Sequence, residues 1–198
     1  ETWFFRNPLS FSGVHDFALN PWKGRLSGKK LMVMSMPCST GEEPYTIAIV
    51  LNEAIPDIAA WDIEILATDV STQALAQARD GIYGGQSIKP VSPEYLEKYF
   101  SLKKKSGRET SYEVTDALKR LVRFDYLNLI DDNYPVEMDI IFCRNVVIYF
   151  ELPTTVAIMK KFYDALTDSG SIFMGYSESL QFISDCFKLA DWEEAIFY

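Results

Sequence analysis

The feature that most constrains this chain is its alternation of short, continuously apolar runs with longer helical stretches. Residues 31–35, 63–68, 121–126, 138–143 and 171–175 read as strands, and residues 42–51, 72–79 and 153–166 as helices. Strands apolar on both faces, set between helices, predict a mostly parallel sheet covered on both sides. The expected fold class is therefore α/β, a doubly wound sheet. Local signals agree: Glu42, Glu43 and Pro44 suit the first turn of a helix. Ser71 can cap the helix at 72–79, which Gly81 should stop. Residues 187–189 and 195–198 can close the sheet as an antiparallel edge.

The rhythm breaks between 84 and 120. A short helix at 93–100, capped by Ser92, precedes a polar loop around Ser106 and Gly107, and the loop separates two strand-like pieces. This predicts a small hairpin-bearing insertion, 84–120, inside one domain spanning 1–198. The run Lys103-Lys104-Lys105 with Arg108 reads as a solvated loop tip.

Composition excludes several function classes. The net charge of −9 argues against nucleic acid as a partner. The single histidine, His15, rules out a multi-histidine metal site. Cys38, Cys143 and Cys186 form no C-x-x-C pair and read as cytosolic thiols. No apolar run approaches the roughly 18 residues of a membrane helix. Localisation is expected to be cytoplasmic, without membrane insertion. The sequence begins at Glu1 and not at Met, so it reads as a fragment or processed piece.

Ligands of such sheets bind beyond the carboxyl ends of the strands, and three polar clusters fall there. In the first, Ser39-Thr40-Gly41-Glu42-Glu43, the G-x-G-x-x-G pattern of a pyrophosphate site is missing. Two glutamates would repel a phosphate and welcome an amino group or a sulfonium, which points to S-adenosyl-L-methionine. The plainer reading is that they only complement the helix dipole. The second cluster is Asp69, placed to accept ribose hydroxyls or else to cap the next helix. The third runs from Cys143 to Phe150, where Arg144 and Asn145 need partners and Tyr149 could face a ligand or the core.

Together these motifs resemble the CheR family of chemotaxis-receptor glutamate O-methyltransferases. Thr2-Trp3-Phe4-Phe5-Arg6 is similar to the family's T-x-F-F-R opening motif. Residues 35–45 resemble S-x-x-C-S-T-G-E-E-P-Y, followed by Ala67-Thr68-Asp69-Val70-Ser71. Tyr83, residues 124–129, residues 141–150 and Gly175-Tyr176-Ser177-Glu178-Ser179 match further family positions. The resemblance implies that Thr2, Arg6, Glu43, Asp69, Asn128, Leu129, Asn145 and Val146 contact S-adenosyl-L-methionine. Within that set, Glu43 would hold the amino group, Asp69 the ribose, and Asn128 with Leu129 the adenine end. Arg6 and Tyr149 would lie near the departing methyl group. The implied products are glutamate methyl esters and S-adenosyl-L-homocysteine, with no metal involved. The implied partner is a chemoreceptor cytoplasmic domain or another glutamate-bearing protein, and in some members the β-subdomain docks a receptor's C-terminal peptide. The sequence departs from the family at Tyr176, where histidine is usual, and at Thr167-Asp168-Ser169-Gly170, which replaces a P-x-G-G turn. The family's N-terminal helical domain has no counterpart in it.

The chemistry fits the inventory. A glutamate carboxylate, with a reference pKa of about 4.3, is ionised at neutral pH and needs no general base. Two other readings stay open: a non-catalytic domain that binds S-adenosyl-L-methionine and signals through a partner, and a methyltransferase acting on a small molecule or nucleic acid.

Overall fold

The computed structural model describes residues 2–14, 30–106, 109–178, 186–192 and 195–198. The main sheet contains β1 (Lys30–Ser35), β2 (Asp62–Asp69), β6 (Val122–Tyr126), β7 (Met138–Cys143), β8 (Leu166–Met174), β9 (Ala190–Trp192) and β10 (Ala195–Phe197). Its order is β6-β2-β1-β7-β8-β10-β9. The first five strands are parallel, and β10 and β9 add as an antiparallel edge. The sheet is doubly wound, as the alternation predicts.

Side chains on the central strands alternate between two cores. Leu31, Val33, Ile140 and Phe142 face one side, where α2 (Glu42–Ala54) packs Ile47, Ala48 and Leu51. Met34, Ile141, Cys143 and Met174 face the other, against Ile158, Met159 and Phe162 of α6 (Leu152–Ala165). All six residues of β7 are buried, which is why that strand is apolar but for Asp139, whose Oδ2 accepts from the Met32 amide at 2.8 Å. From β1 the chain winds outward through β2 to β6, then returns to β7 and β8 on the other side. The connections therefore diverge above β1 and β7, and a crevice opens at their carboxyl ends.

Caps sit where the sequence puts them. Ser71 Oγ accepts from the Ala74 amide at the start of α3 (Thr72–Asp80), and Ser92 Oγ from the Tyr95 amide at the start of α4 (Pro93–Tyr99). Gly41 begins α2 at φ 96°, and a Cβ there would come within 2.6 Å of Tyr83 Oη and 2.8 Å of Ala78 Cβ. Only glycine fits that turn.

A second, antiparallel sheet has the order β3-β5-β4, from β3 (Ile82–Gly84), β4 (Phe100–Ser106) and β5 (Glu109–Val114). Phe4, fully buried, packs edge-on against Tyr83 and Phe100. That contact ties the N-terminal segment to the small sheet.

Three local expectations shift. Lys103, Lys104 and Lys105 lie on β4 and not in a loop, and Lys103 pairs with Glu113 at 2.6 Å. Gly107, Arg108, Ser179, His15 and Glu1 lie outside the described residues. The edge strand begins at Ala190, past residues 187–189, because Ala190 to Trp192 pair with β10. Phe187 instead meets the Tyr163 ring. The turn expected at residues 167–170 is drawn into β8, beside a register irregularity between Met138 and Ile140. Among the described residues, no helix is long and apolar enough to cross a membrane.

Candidate functional site

Two cavities open at the carboxyl ends of the strands, and Pro37 lines both. The first is lined by Thr2, Trp3, Arg6, Cys38, Glu43, Arg144 and Asn145, among others. The second is lined by Thr68, Asp69, Tyr126, Asn128, Leu129, Val146 and Phe150, among others. Asn145 and Val146 are sequence neighbours facing one cavity each, so this dipeptide forms part of the wall between them. The fold thus gathers eight of the nine expected site residues into one cleft. The exception is Tyr149, which lines neither cavity. It is 79% exposed, on a short 3-10 turn (Val147–Tyr149) next to Val146.

The first cavity is organised around an ion pair. Ser35, at the end of β1, donates from Oγ to Glu43 Oε1 at 2.9 Å. Arg144, just past β7, donates from Nη1 to Glu43 Oε2 at 3.0 Å and from Nη2 to the Arg6 carbonyl at 2.6 Å. One guanidinium therefore joins β7, α2 and the N-terminal segment. The Arg144 side chain is 2% exposed and its Nε has no hydrogen-bond partner among the described residues. Burial pushes the Glu43 carboxyl above its ordinary range, while Arg144 and Ser35 oppose that shift. Arg6 sits over the Trp3 ring, 4.9 Å from its centroid. Burial, reinforced by Asp69 and Glu43, pushes the Cys38 thiol well up. A thiol held protonated is a poor nucleophile, so Cys38 serves as wall.

The second cavity is organised around backbone amides. Ser39 N–H donates to Asp69 Oδ2 at 2.8 Å and Ser71 N–H to Oδ1 at 2.9 Å. Each carboxylate oxygen keeps a lone pair for a further donor. Leu127, Leu129, Val146 and Phe150 give the cavity apolar walls. Asn128 is committed within its own loop: its Oδ1 accepts from Ile130 N–H and its Nδ2 donates to Asp131. The Leu129 carbonyl accepts from Tyr134 Oη.

These donor sets suit particular chemistry. The Glu43 carboxylate, which lines the first cavity and is mostly buried, suits an ammonium group. Asp69 suits a pair of hydroxyls, and the apolar walls suit a flat heterocycle. Carboxylates on both sides disfavour a phosphate. Among the described residues, no group of three or more His, Cys, Asp or Glu is placed to hold a metal ion.

Sequence reasoning missed the partners that shape this cleft. Glu42, 3% exposed, accepts from Thr40 Oγ1 at 2.6 Å and Ser87 Oγ at 2.7 Å, joining the cofactor-side loop to the segment after β3. Tyr83 Oη donates to the Thr40 carbonyl at 2.7 Å. Glu178, also 3% exposed, accepts from backbone amides of residues 145–148. No spacing signal connects residues thirty or more positions apart; only the need of Arg144 and Asn145 for partners was visible.

Comparison with known proteins agrees with the geometry. The family described as CheR methyltransferase, SAM binding domain, matches residues 1–196. The chain is 36% identical over 202 residues to chemotaxis protein methyltransferase 2 of Vibrio cholerae, covering 100% of this chain and 68% of that one. It is 37% identical over 179 residues to the probable chemotaxis protein methyltransferase of Rhizobium etli, covering 89% and 66% respectively. The chain thus spans about two thirds of the length of these relatives. Among solved structures it resembles the DszA carbon methyltransferase, with a TM-score of 0.56 at 14% identity, covering 91% of this chain and 39% of that one. That likeness concerns the fold, which is of the class I S-adenosyl-L-methionine methyltransferase type.

Proposed function

The chain belongs to the CheR methyltransferase family, and from that premise we propose that it methylates glutamate side chains of a chemoreceptor-type protein. The methyl donor is S-adenosyl-L-methionine, and the products are glutamate methyl esters and S-adenosyl-L-homocysteine. The observation that carries this reading is the placement of two carboxylates, Glu43 and Asp69, in adjoining cavities that share Pro37.

When bound, S-adenosyl-L-methionine supplies a methyl group on a positively charged sulfonium, which an ionised carboxylate can attack directly. Glu43 holds the amino group of the methionine end, with Thr2 and Arg6 beside it. Asp69 accepts the ribose hydroxyls, and Asn128 and Leu129 border the adenine. Asn145 and Val146, which face one cavity each, would contact the middle of the cofactor. Arg6 donates to the incoming glutamate and fixes its approach, since a guanidinium grips a carboxylate in a defined plane. Tyr149, exposed on the turn that follows Val146, would meet the protein substrate beside the transferring methyl. The reading assigns no metal. We take residues 84–120 as a β-subdomain insertion that can dock a receptor peptide. The non-catalytic alternative gains no supporting observation.

The test is to incubate the protein with methyl-labelled cofactor and a receptor cytoplasmic domain. Label that is released as methanol in mild base is expected. Base-stable label, or no label, contradicts the ester assignment.

A further inference from the structure

Past the carboxyl ends of β7 and β8 one side chain gathers an unusual number of backbone donors. Glu178 Oε2 accepts from Asn145 N–H at 2.6 Å and from Gly175 N–H at 2.8 Å. Its Oε1 accepts from Val146 N–H at 2.8 Å, Val147 N–H at 2.9 Å and, more weakly, Ile148 N–H at 3.4 Å. Four of these donors are consecutive, and they lead into the 3-10 turn Val147–Tyr149. Such amides are left without intrahelical partners at the start of a turn. Buried amides without partners are costly, and a carboxylate is the strongest acceptor a side chain offers.

The contact also has a conformational role. Asn145 has φ 58°, in the left-handed region that a residue with a Cβ seldom occupies. It is held there by the bond from its own amide to Glu178. Asn145 then faces the Glu43 cavity and Val146 faces the Asp69 cavity. A single carboxylate thus sets the orientation of a dipeptide that borders both halves of the cleft.

We infer that Glu178 is a positioning residue for the transfer reaction: its carboxylate gathers the amides of Gly175 and residues 145–148, and so fixes Asn145 and Val146 against the cofactor. The inference rests on the cofactor reading above, and Glu178 itself lines neither cavity. Gly175 supports the same point independently. A Cβ at that position would collide with Glu178 Oε2 and would come within 2.9 Å of Asn145 Nδ2 and 3.0 Å of the Asn145 amide nitrogen. Glycine there leaves room for the carboxylate to reach the turn.

The test uses Glu178→Gln, which keeps the size but turns an NH2 toward the amide cluster, Glu178→Asp, which keeps the charge but shortens the reach, and Gly175→Ala, which keeps the carboxylate and displaces it. Each is measured with S-adenosyl-L-homocysteine by calorimetry at a temperature well below its melting point, and amide hydrogen exchange is followed at residues 145–148. The expected result is a loss of cofactor affinity of about ten-fold or more for Glu178→Gln and Gly175→Ala, a smaller loss for Glu178→Asp, and faster exchange at Asn145 and Val146. A residue with only a structural role would lower the melting temperature and leave the affinity of the folded protein within two-fold of the parent. That result in either Glu178→Gln or Gly175→Ala overturns the inference. These readouts need no methyl acceptor. Failure of receptor methylation by the parent protein would count against the function proposed above, while the affinity arm still decides this one.

Discussion

Glu43 and Asp69 occupy comparable places, each beside the end of a neighbouring parallel strand, yet they are held by opposite means. Glu43 is held by side chains, the Ser35 hydroxyl and the Arg144 guanidinium. Asp69 is held by the main chain, through the amides of Ser39 and Ser71. A carboxylate fixed by backbone amides keeps its geometry as long as the fold does. A carboxylate fixed by a buried arginine and a hydroxyl depends on those two side chains and stays sensitive to charge and pH. The cofactor cleft thus has a rigid half, suited to a neutral nucleoside, and an electrostatic half, suited to a charged amino-acid head.

The sharpest way to break that contrast is Arg144→Ala. It removes the Arg144 guanidinium from Glu43 Oε2 and frees the Arg6 carbonyl, and breaking one side of a buried ion pair costs about 3–5 kcal/mol. Denaturant unfolding should show a loss of that order, and cofactor binding should fall with it. Stability unchanged to within about 0.5 kcal/mol would mean that the pair does not organise the site.

Asp69→Ala tests the other half. The hydrogen bonds proposed between it and the ribose hydroxyls would be charge-assisted, each worth about 1.5–3 kcal/mol. Affinity for S-adenosyl-L-homocysteine should fall at least ten-fold per bond lost, by calorimetry on the folded variant. Unchanged affinity would remove the ribose assignment.

Arg6→Ala should lower the methyl-transfer rate at saturating cofactor more than it lowers cofactor affinity, because its proposed partner is the incoming carboxylate. Equal losses would make Arg6 a cofactor-binding residue only.

The smallest expected effect is in pH. Burial raises the Glu43 pKa above its ordinary value of 4.5. Protonation removes the charge that holds an ammonium, so cofactor affinity should fall as pH drops through that raised value, and Glu43→Gln should flatten the profile. The linked stability effect has the opposite sign. The folded state keeps a proton that the unfolded state releases, so Glu43's contribution to stability falls as pH rises from 4.5 through the raised value. A binding profile unchanged by Glu43→Gln would place the ammonium elsewhere.

The rigid half was also the more legible in the sequence. Asp69 could be placed because strand periodicity locates its strand end and Ser71 announces the next helix, and both are local signals. Gly41 likewise marked its turn directly. The electrostatic half was legible only in pieces: the pair Glu42-Glu43 suggested a cation, and Arg144 at a buried strand end must find a partner, but the chain does not say that the partner is Glu43, 101 positions earlier. Glu178 was less legible still, since an acidic residue in a polar loop looks like any solvated acid until β7 and β8 lie side by side. The lysine run misled for a related reason. Charges suit an exposed sheet edge as well as a loop, and β4 sits at the edge of its sheet. The short pairing of β9 with β10 rests on three residue pairs, too few to leave a pattern.

The most direct test of the two-part cleft is a crystal structure with S-adenosyl-L-homocysteine bound. The account predicts the amino group on Glu43, the ribose hydroxyls on Asp69, the adenine against Leu129, and the sulfur near the Asn145–Val146 wall. A ligand bound in the reverse direction, or confined to one of the two cavities, would contradict it.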